Sequence, residues 1–194
     1  MSSHSPEPPN LRRPHPLALR LIERAGSSRA RVLELGSGSG RNTNALRAAG
    51  FHVTAIPDDA LRVPLGLTET FDAALSTHGL LHGTPRLVRD LLHETAGVLR
   101  ADAAAYFTFA STRDARFGQG RQVDENTYAA VDGDEAGVPH VFFDEVPLRL
   151  MLEPWFNIDA LDEVAADAIV GRWAHERMPT GTVHWFAQLR KRAG

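Results

Sequence analysis

No cysteine occurs among the 194 residues, which excludes disulfides, thiolate metal sites, iron–sulfur clusters and a cysteine nucleophile. The absence accords with a reducing compartment, and a cytoplasmic protein is expected. An excess of positive charge is also lacking. The chain has 21 Lys and Arg against 24 Asp and Glu, a formal charge of −3, so nothing in the balance points to nucleic acid as a partner. No apolar run approaches the roughly 20 residues that span a bilayer. The first 16 residues hold five prolines and no apolar h-region, so neither a membrane span nor a secretory leader is expected. Internal repeats are missing as well. What remains is ordinary: 43% hydrophobic and 23% charged residues fit one globular domain that buries a single core.

Residues 1–14 (MSSHSPEPPNLRRP) read as a flexible arm, because frequent proline prevents regular hydrogen bonding. The domain proper spans 15–194. Leu17, Ala18, Leu21 and Ile22 recur at helical spacing over Pro16 to Ala25, with Gly26 as a stop. Short apolar strands are expected at Arg31 to Leu35, Phe51 to Ile56, Phe71 to Ser76 and Ala104 to Ala110. Further strands are expected around Phe156–Glu163 and Thr182–Leu189. Helices are predicted over Arg41 to Ala49, Pro85 to Leu99 and Asp144 to Leu152, the second with an inward stripe of Leu87, Val88, Leu91, Leu92, Thr95 and Leu99. Residues 111–140 show no clear period and read as a long functional loop. Alternating strands and helices predict an α/β fold, a three-layer sandwich around a mostly parallel sheet.

One segment carries chemistry. Gly36-Ser37-Gly38-Ser39-Gly40 lies between a buried strand and a helix. There, glycine permits the sharp exit from the strand and close approach of a ligand to the backbone. The helix N-terminus offers free N–H groups to an anionic or polar ligand edge. The spacing is G-x-G-x-G, not the G-x-G-x-x-G of dinucleotide sites, and no Lys-Ser/Thr pair follows as in a phosphate loop. Nicotinamide cofactors and ATP are therefore disfavoured.

Val32-Leu33-Glu34-Leu35-Gly36-Ser37-Gly38-Ser39-Gly40 resembles the first motif of the class I S-adenosylmethionine-dependent methyltransferases. Phe71-Asp72-Ala73-Ala74-Leu75-Ser76 is similar to their fourth-strand motif, and the helix ending in Val98-Leu99-Arg100 to the one before their fifth strand. Glu125 to Tyr128, Asp132 to Glu135 and Gly137 to Phe143 look most like the small-molecule, tellurite-resistance type within that family. The resemblance implies a Rossmann-like sandwich with an antiparallel last strand, S-adenosyl-L-methionine as cofactor and a small-molecule methyl acceptor, in a monomer or homodimer. It implies that Gly36, Ser37, Gly38 and Gly40 line the methionine part and that Glu34 holds the cofactor's amino group. Asn42 and Thr43 would reach its carboxylate, and Thr77 would join the same pocket.

The sequence departs from the pattern after the second strand. Where the family places a ribose-binding acid there is Pro57, so Asp58 is the nearest substitute and Asp59 the second. Only the 14 residues Pro57 to Thr70 precede the next strand, too few for another helix and strand. One helix and one edge strand are thus expected to be missing, and Asp59, Ala60 and Leu61 resemble the segment that receives adenine.

Methyl transfer from a sulfonium asks the protein for alignment, exclusion of water and a base. His78 and His82 follow the fourth-strand motif, and imidazole can take a proton near neutrality. His82 is favoured as base; the alternative is that these rings only bond backbone or pack on adenine. No third ligand has a telling spacing beside them, so no metal is expected. Arg113 and Arg116 are placed to grip an anionic acceptor, or else pair with Asp114, Asp124 or Glu125. Asn126, Tyr128, His140 and Phe143 supply a lid with polar tips and aromatic walls. Trp155, Trp173, Trp185 and His184 read as structural. Two other functions stay open: a ligand- or partner-binding protein without transfer activity, and a non-methylating isomerase or cyclase.

Overall fold

The computed structural model describes residues 13–25, 29–61, 64–133, 135–168 and 180–193. The expected arm lies almost wholly outside these residues, as do Gly26 and Trp173.

The sheet is built around β1 (Arg31–Leu35). This strand pairs in parallel with β2 (His52–Ile56) on one side and β3 (Phe71–Ser76) on the other. β3 pairs in parallel with β4 (Leu99–Ser111). Beyond β4 the direction reverses: β9 (Val183–Lys191) runs antiparallel to β4, and β8 (Phe156–Ala165) antiparallel to β9. The expected last hairpin is therefore present.

Alternation along the strands sorts two cores. Val32, Ala73, Leu75 and Tyr106 face α1 (Pro16–Ala25) and α2 (Arg41–Ala48), meeting Leu17, Leu21 and Leu46. Leu33, Leu35, Ala74, Ala105 and Phe107 face α3 (Pro85–Val98) and α4 (Glu145–Leu152), meeting Val88, Leu91, Leu92, Leu148 and Leu152. The apolar spacing sets these faces, and local chemistry sets the helix starts. Pro16 and Pro85 both occupy the first helical position, where a missing N–H costs nothing. Thr84 caps α3 by accepting from the Leu87 amide, and the His15 ring Nδ1 accepts from the Leu17 amide at the start of α1.

Between Ile56 and Phe71 the described residues form only a short 3-10 turn, Asp58–Ala60. The expected trimming after β2 is met. β2 is consequently an edge strand, and none of its residues is fully buried.

Residues 111–140 correct the sequence reading. Instead of an irregular loop, the chain forms an antiparallel meander of β5 (Arg121–Asp124), β6 (Thr127–Ala129) and β7 (Pro139–Phe143). Its tight turn uses Asn126 at φ +46°, a conformation asparagine tolerates. The strands are three to five residues long, and RQVD has a single apolar side chain, so no two-residue period was there to read. Ala110 pairs with His184 on one side and Phe142 on the other. β7 thus takes the place along β4 that β3 leaves after Ser76, and the meander stands at the carboxyl end of the sheet.

Candidate active site

The carboxyl ends of β1, β2 and β3 are tied together by their own backbone. The Ile56 carbonyl accepts from the amides of Gly36 (2.9 Å) and Ser37 (3.1 Å), and Ser76 Oγ donates to the Leu35 carbonyl at 3.0 Å. The chain then turns through Gly36 at φ +71° and Gly38 at φ +48°. A Cβ on Gly36 would lie 2.4 Å from the Gly79 Cα and 2.6 Å from its nitrogen. At Gly38 the nearest atom to such a Cβ is Asp58 Oδ2, 3.8 Å away. The first glycine is needed by the packing of the protein, whereas the second faces open space.

That space is a cavity of about 230 Å³. Gly36, Ser37 and Gly38 form its floor, Arg41, Asn42 and Thr77 one wall, and Asp58, His78 and His82 the other. Asn42 is fixed from two sides: its Oδ1 accepts from the His15 amide (2.9 Å), and its Nδ2 donates to Thr77 Oγ1 (3.0 Å). The Gly38 amide donates to Asp58 Oδ2 at 3.1 Å. Asp58, two residues past β2, therefore stands at the glycine loop. Arg41, buried in the first turn of α2, was missed there, although it directly follows GSGSG.

Other candidates are not brought to the cavity. Gly40 begins α2, and its amide turns back to the Ser37 carbonyl at 2.8 Å. Asp59 and Ala60 are exposed on the 3-10 turn, and Leu61 is buried in the core beneath Gly79. Glu34, only 1% exposed, lies below the loop and accepts from Thr43 Oγ1. Its Oε1 has no hydrogen-bond partner among the described residues. Burial pushes its carboxyl above the usual carboxylate range, against the lowering influence of Thr43, Asn42, Arg41 and Arg47.

His82 does not pair with His78. It forms an isolated bridge with His140 of β7, and the two rings meet edge to face with centroids 4.8 Å apart. Glu135 stands between them, its Oε1 3.7 Å from His82 Nε2 and its Oε2 3.2 Å from His140 Nε2. Glu135 lines the glycine-loop cavity and also a second cavity of about 260 Å³, bounded by Arg116, Tyr128, His140 and Phe142. The two cavities therefore adjoin at this cluster.

Arg113 is exposed and turned to Glu163 at 2.8 Å, and it lines neither cavity. Arg116 reaches the second cavity but is held by buried Asp114, with Nε 2.9 Å from Oδ1. Asn126 and Phe143 line a different cavity of about 330 Å³, beside Trp155, which shares no residue with the one above the glycine loop. Trp185 Nε1 donates to the Phe143 carbonyl at 2.8 Å, a structural role as expected.

Behind the cleft, Arg116 also donates to His184 Nε2 at 3.2 Å, so that ring keeps its proton on Nδ1. Burial and the Arg116 charge lower the His184 pKa to about 4, though Asp114 opposes the shift. Burial alone would raise the Asp114 pKa, but the Arg116 guanidinium and the Arg116 and Val183 amides together hold it below its usual value. His15 is pushed well below the ordinary imidazole range by burial and by Arg41, His78 and His184.

Neither a protein-family model nor a curated protein sequence matches the chain. Solved structures do, and they define the class: the chain has the fold of the class I S-adenosylmethionine-dependent methyltransferases. One is the 1,6-didemethyltoxoflavin-N1-methyltransferase of Burkholderia thailandensis, crystallised with 1,6-didemethyltoxoflavin and S-adenosylhomocysteine. It is 22% identical, with a TM-score of 0.66 over 92% of this chain and 78% of that one. A SAM-dependent methyltransferase from Methanosarcina mazei is 17% identical, with a TM-score of 0.68 over 94% of this chain and all of its own. TehB from Haemophilus influenzae is 13% identical, with a TM-score of 0.59 over 93% and 62% respectively. At these identities the likeness is one of fold.

Proposed function

We propose that this chain binds S-adenosylmethionine above the glycine loop and transfers its methyl group to a small-molecule nucleophile. The observation that carries the reading is the open cradle at Gly38, at the N-terminus of α2 and faced by the Asp58 carboxylate. Its donor set suits the cofactor. Arg41, Asn42 and the first amides of α2 offer positive charge and donors to a carboxylate. Glu34, buried below the loop, supports the Thr43 hydroxyl in the first turn of α2 and does not itself line the cavity. Asp58 offers two acceptor oxygens toward a ribose.

S-adenosylmethionine supplies an activated methyl group on a sulfonium. The chain's own residues orient the reactants and exclude water, which is the larger part of catalysis for an in-line displacement. The acceptor belongs in the second cavity, whose Tyr128 and Phe142 rings give it apolar walls. Its proton leaves at the junction of the two cavities, with Nε2 of His82 as the first acceptor.

Two neighbours with this fold support the reading: the Burkholderia enzyme holds a small acceptor, 1,6-didemethyltoxoflavin, and NodS of Bradyrhizobium japonicum, an N-methyltransferase, was crystallised with S-adenosylhomocysteine. The trimmed edge after β2 favours a second reading, in which the pocket binds a ligand without transfer. Methyl-labelled S-adenosylmethionine incubated with the protein and a small-molecule extract separates the two. Label in the small-molecule fraction, lost in Gly38→Val, supports transfer. Cofactor binding with no label transferred supports the second reading.

A further inference from the structure

The cluster between the two cavities has a feature that proton transfer leaves unexplained. His140 is 7% exposed, and its Nδ1 lies 3.0 Å from the Val138 carbonyl. Only an N–H can face a carbonyl at that distance, so Nδ1 carries a proton. In the neutral ring Nε2 then presents a bare lone pair, and it points at a Glu135 oxygen 3.2 Å away. His82 approaches the same carboxylate: Nε2 is 3.7 Å from the other Glu135 oxygen, and Nδ1 is 3.7 Å from Asp58 Oδ1, both beyond hydrogen-bond reach. Neither Nε2 has a hydrogen-bond partner among the described residues. A lone pair of His140 and the Glu135 carboxylate face one another in a half-buried space, with the His82 ring nitrogen beside them, a donor set that attracts a cation.

The geometry points to a divalent transition-metal site made by His82 Nε2, His140 Nε2 and the Glu135 carboxylate. The three ligand atoms lie within 4.8 Å of one another. Bonds of about 2.1 Å in a tetrahedral site place ligands about 3.4 Å apart, and the carboxylate comes near that distance to both rings, 3.2 Å from His140 through Oε2 and 3.7 Å from His82 through Oε1. Two imidazoles and one carboxylate suit Zn²⁺ or Fe²⁺ and leave coordination positions open. His140 has the outer contact of a metal-bound histidine, its second nitrogen anchored on the Val138 carbonyl, and Asp58 stands 3.7 Å from the second nitrogen of His82. The frame is rigid as well: the His82–His140 bridge is extended by the Gly83 amide, which donates to the Pro139 carbonyl at 2.8 Å.

Sequence spacing hid this site. His82 and His140 are 58 positions apart, and the meander that brings them together shows no local period. Glu135 and His140 border the second cavity, so an ion here would favour an acceptor that carries an oxygen donor. With the ion bound, Nε2 of His82 is a ligand and no longer the base; the cation lowers the acceptor's pKa and the proton leaves to water, while the metal-free protein keeps His82 as the proton acceptor. This assignment of acceptor class rests on the methyltransferase reading; the ion site does not.

The test uses untagged, full-length protein stripped with chelator and titrated with ZnCl₂ by calorimetry. Co²⁺ is then added to follow the visible spectrum of a nitrogen–oxygen site. One equivalent should bind, and His140→Ala or Glu135→Gln should weaken it at least about 100-fold, beyond the range for losing an outer partner. Glu135→Gln keeps shape and guards against misfolding, and His52→Ala, an exposed histidine on β2, should change nothing. Absence of stoichiometric binding, or equal binding in Glu135→Gln, overturns the site. Titration of the metal-free protein with S-adenosylhomocysteine reports on the methyltransferase reading separately, so either one fails without the other.

Discussion

Gly36 and Gly38 sit two residues apart in one loop, both with positive φ, yet the structure assigns them different work. Replacing Gly36 by alanine places a methyl 2.4 Å from backbone Gly79 Cα, which no rotamer change relieves. Holding a non-glycine residue in the left-handed region costs about 1–2 kcal/mol, and overpacking adds about 1–3 kcal/mol. Gly36→Ala should therefore destabilise by about 2–5 kcal/mol, a large share of the usual 5–15 kcal/mol. At Gly38 the new methyl meets only Asp58 Oδ2 at 3.8 Å, so the left-handed strain of about 1–2 kcal/mol stands alone. Urea unfolding of both variants measures the difference. With a slope of about 2 kcal/mol/M, the midpoint of Gly36→Ala should fall by about 1–2.5 M and that of Gly38→Ala by about 0.5–1 M. Binding should show the reverse contrast: Gly38→Ala loses S-adenosylhomocysteine affinity while staying folded, because its methyl enters the cradle. Equal midpoints would refute the argument that the first glycine serves packing and the second serves a ligand.

Acidification should weaken the fold well above the carboxylate range. His184, with its pKa lowered to about 4, stays neutral in the folded state while the unfolded chain takes up a proton below about 6.5. Stability is therefore full above that pH and falls by about 2 kcal/mol by pH 5. His15 adds loss in the same direction, and Glu34, raised by burial, offsets part of it at the acid end. Denaturant unfolding at pH 7 and 5 measures this; His184→Gln should flatten the dependence, and a flat wild-type profile would contradict the burial argument. At the ribose end, Asp58→Ala should weaken S-adenosylhomocysteine binding by about 10–100-fold, the value of a hydrogen bond to a charged group. Asp59→Ala, at an exposed position, should leave affinity unchanged.

Much of the fold was legible because burial writes itself into spacing. β1 and β3 are short apolar runs, and the helix from Pro85 carries its stripe at 3.6-residue intervals, so their extents agree with the sequence to within a residue. The glycine loop announced itself by composition, and Asp58 by its position after β2. The meander could not be read, since β5 and β6 are too short and polar to show alternation. With it went the neighbours of His82: a contact between positions 82 and 140 exists only through the pairing of β7, which no local pattern encodes. Arg113 was misjudged for a different reason. Its place after β4 is near the cleft, but Glu163 of β8, 50 residues on, draws its side chain away.

The central claim is that the hollow above Gly38 receives a sulfonium nucleoside. Calorimetric titration with S-adenosylhomocysteine tests it most directly. The account predicts saturable binding at one site per chain, lost in Gly38→Val and weakened in Asp58→Ala. No heat with wild-type protein, or binding untouched by Gly38→Val, would contradict it.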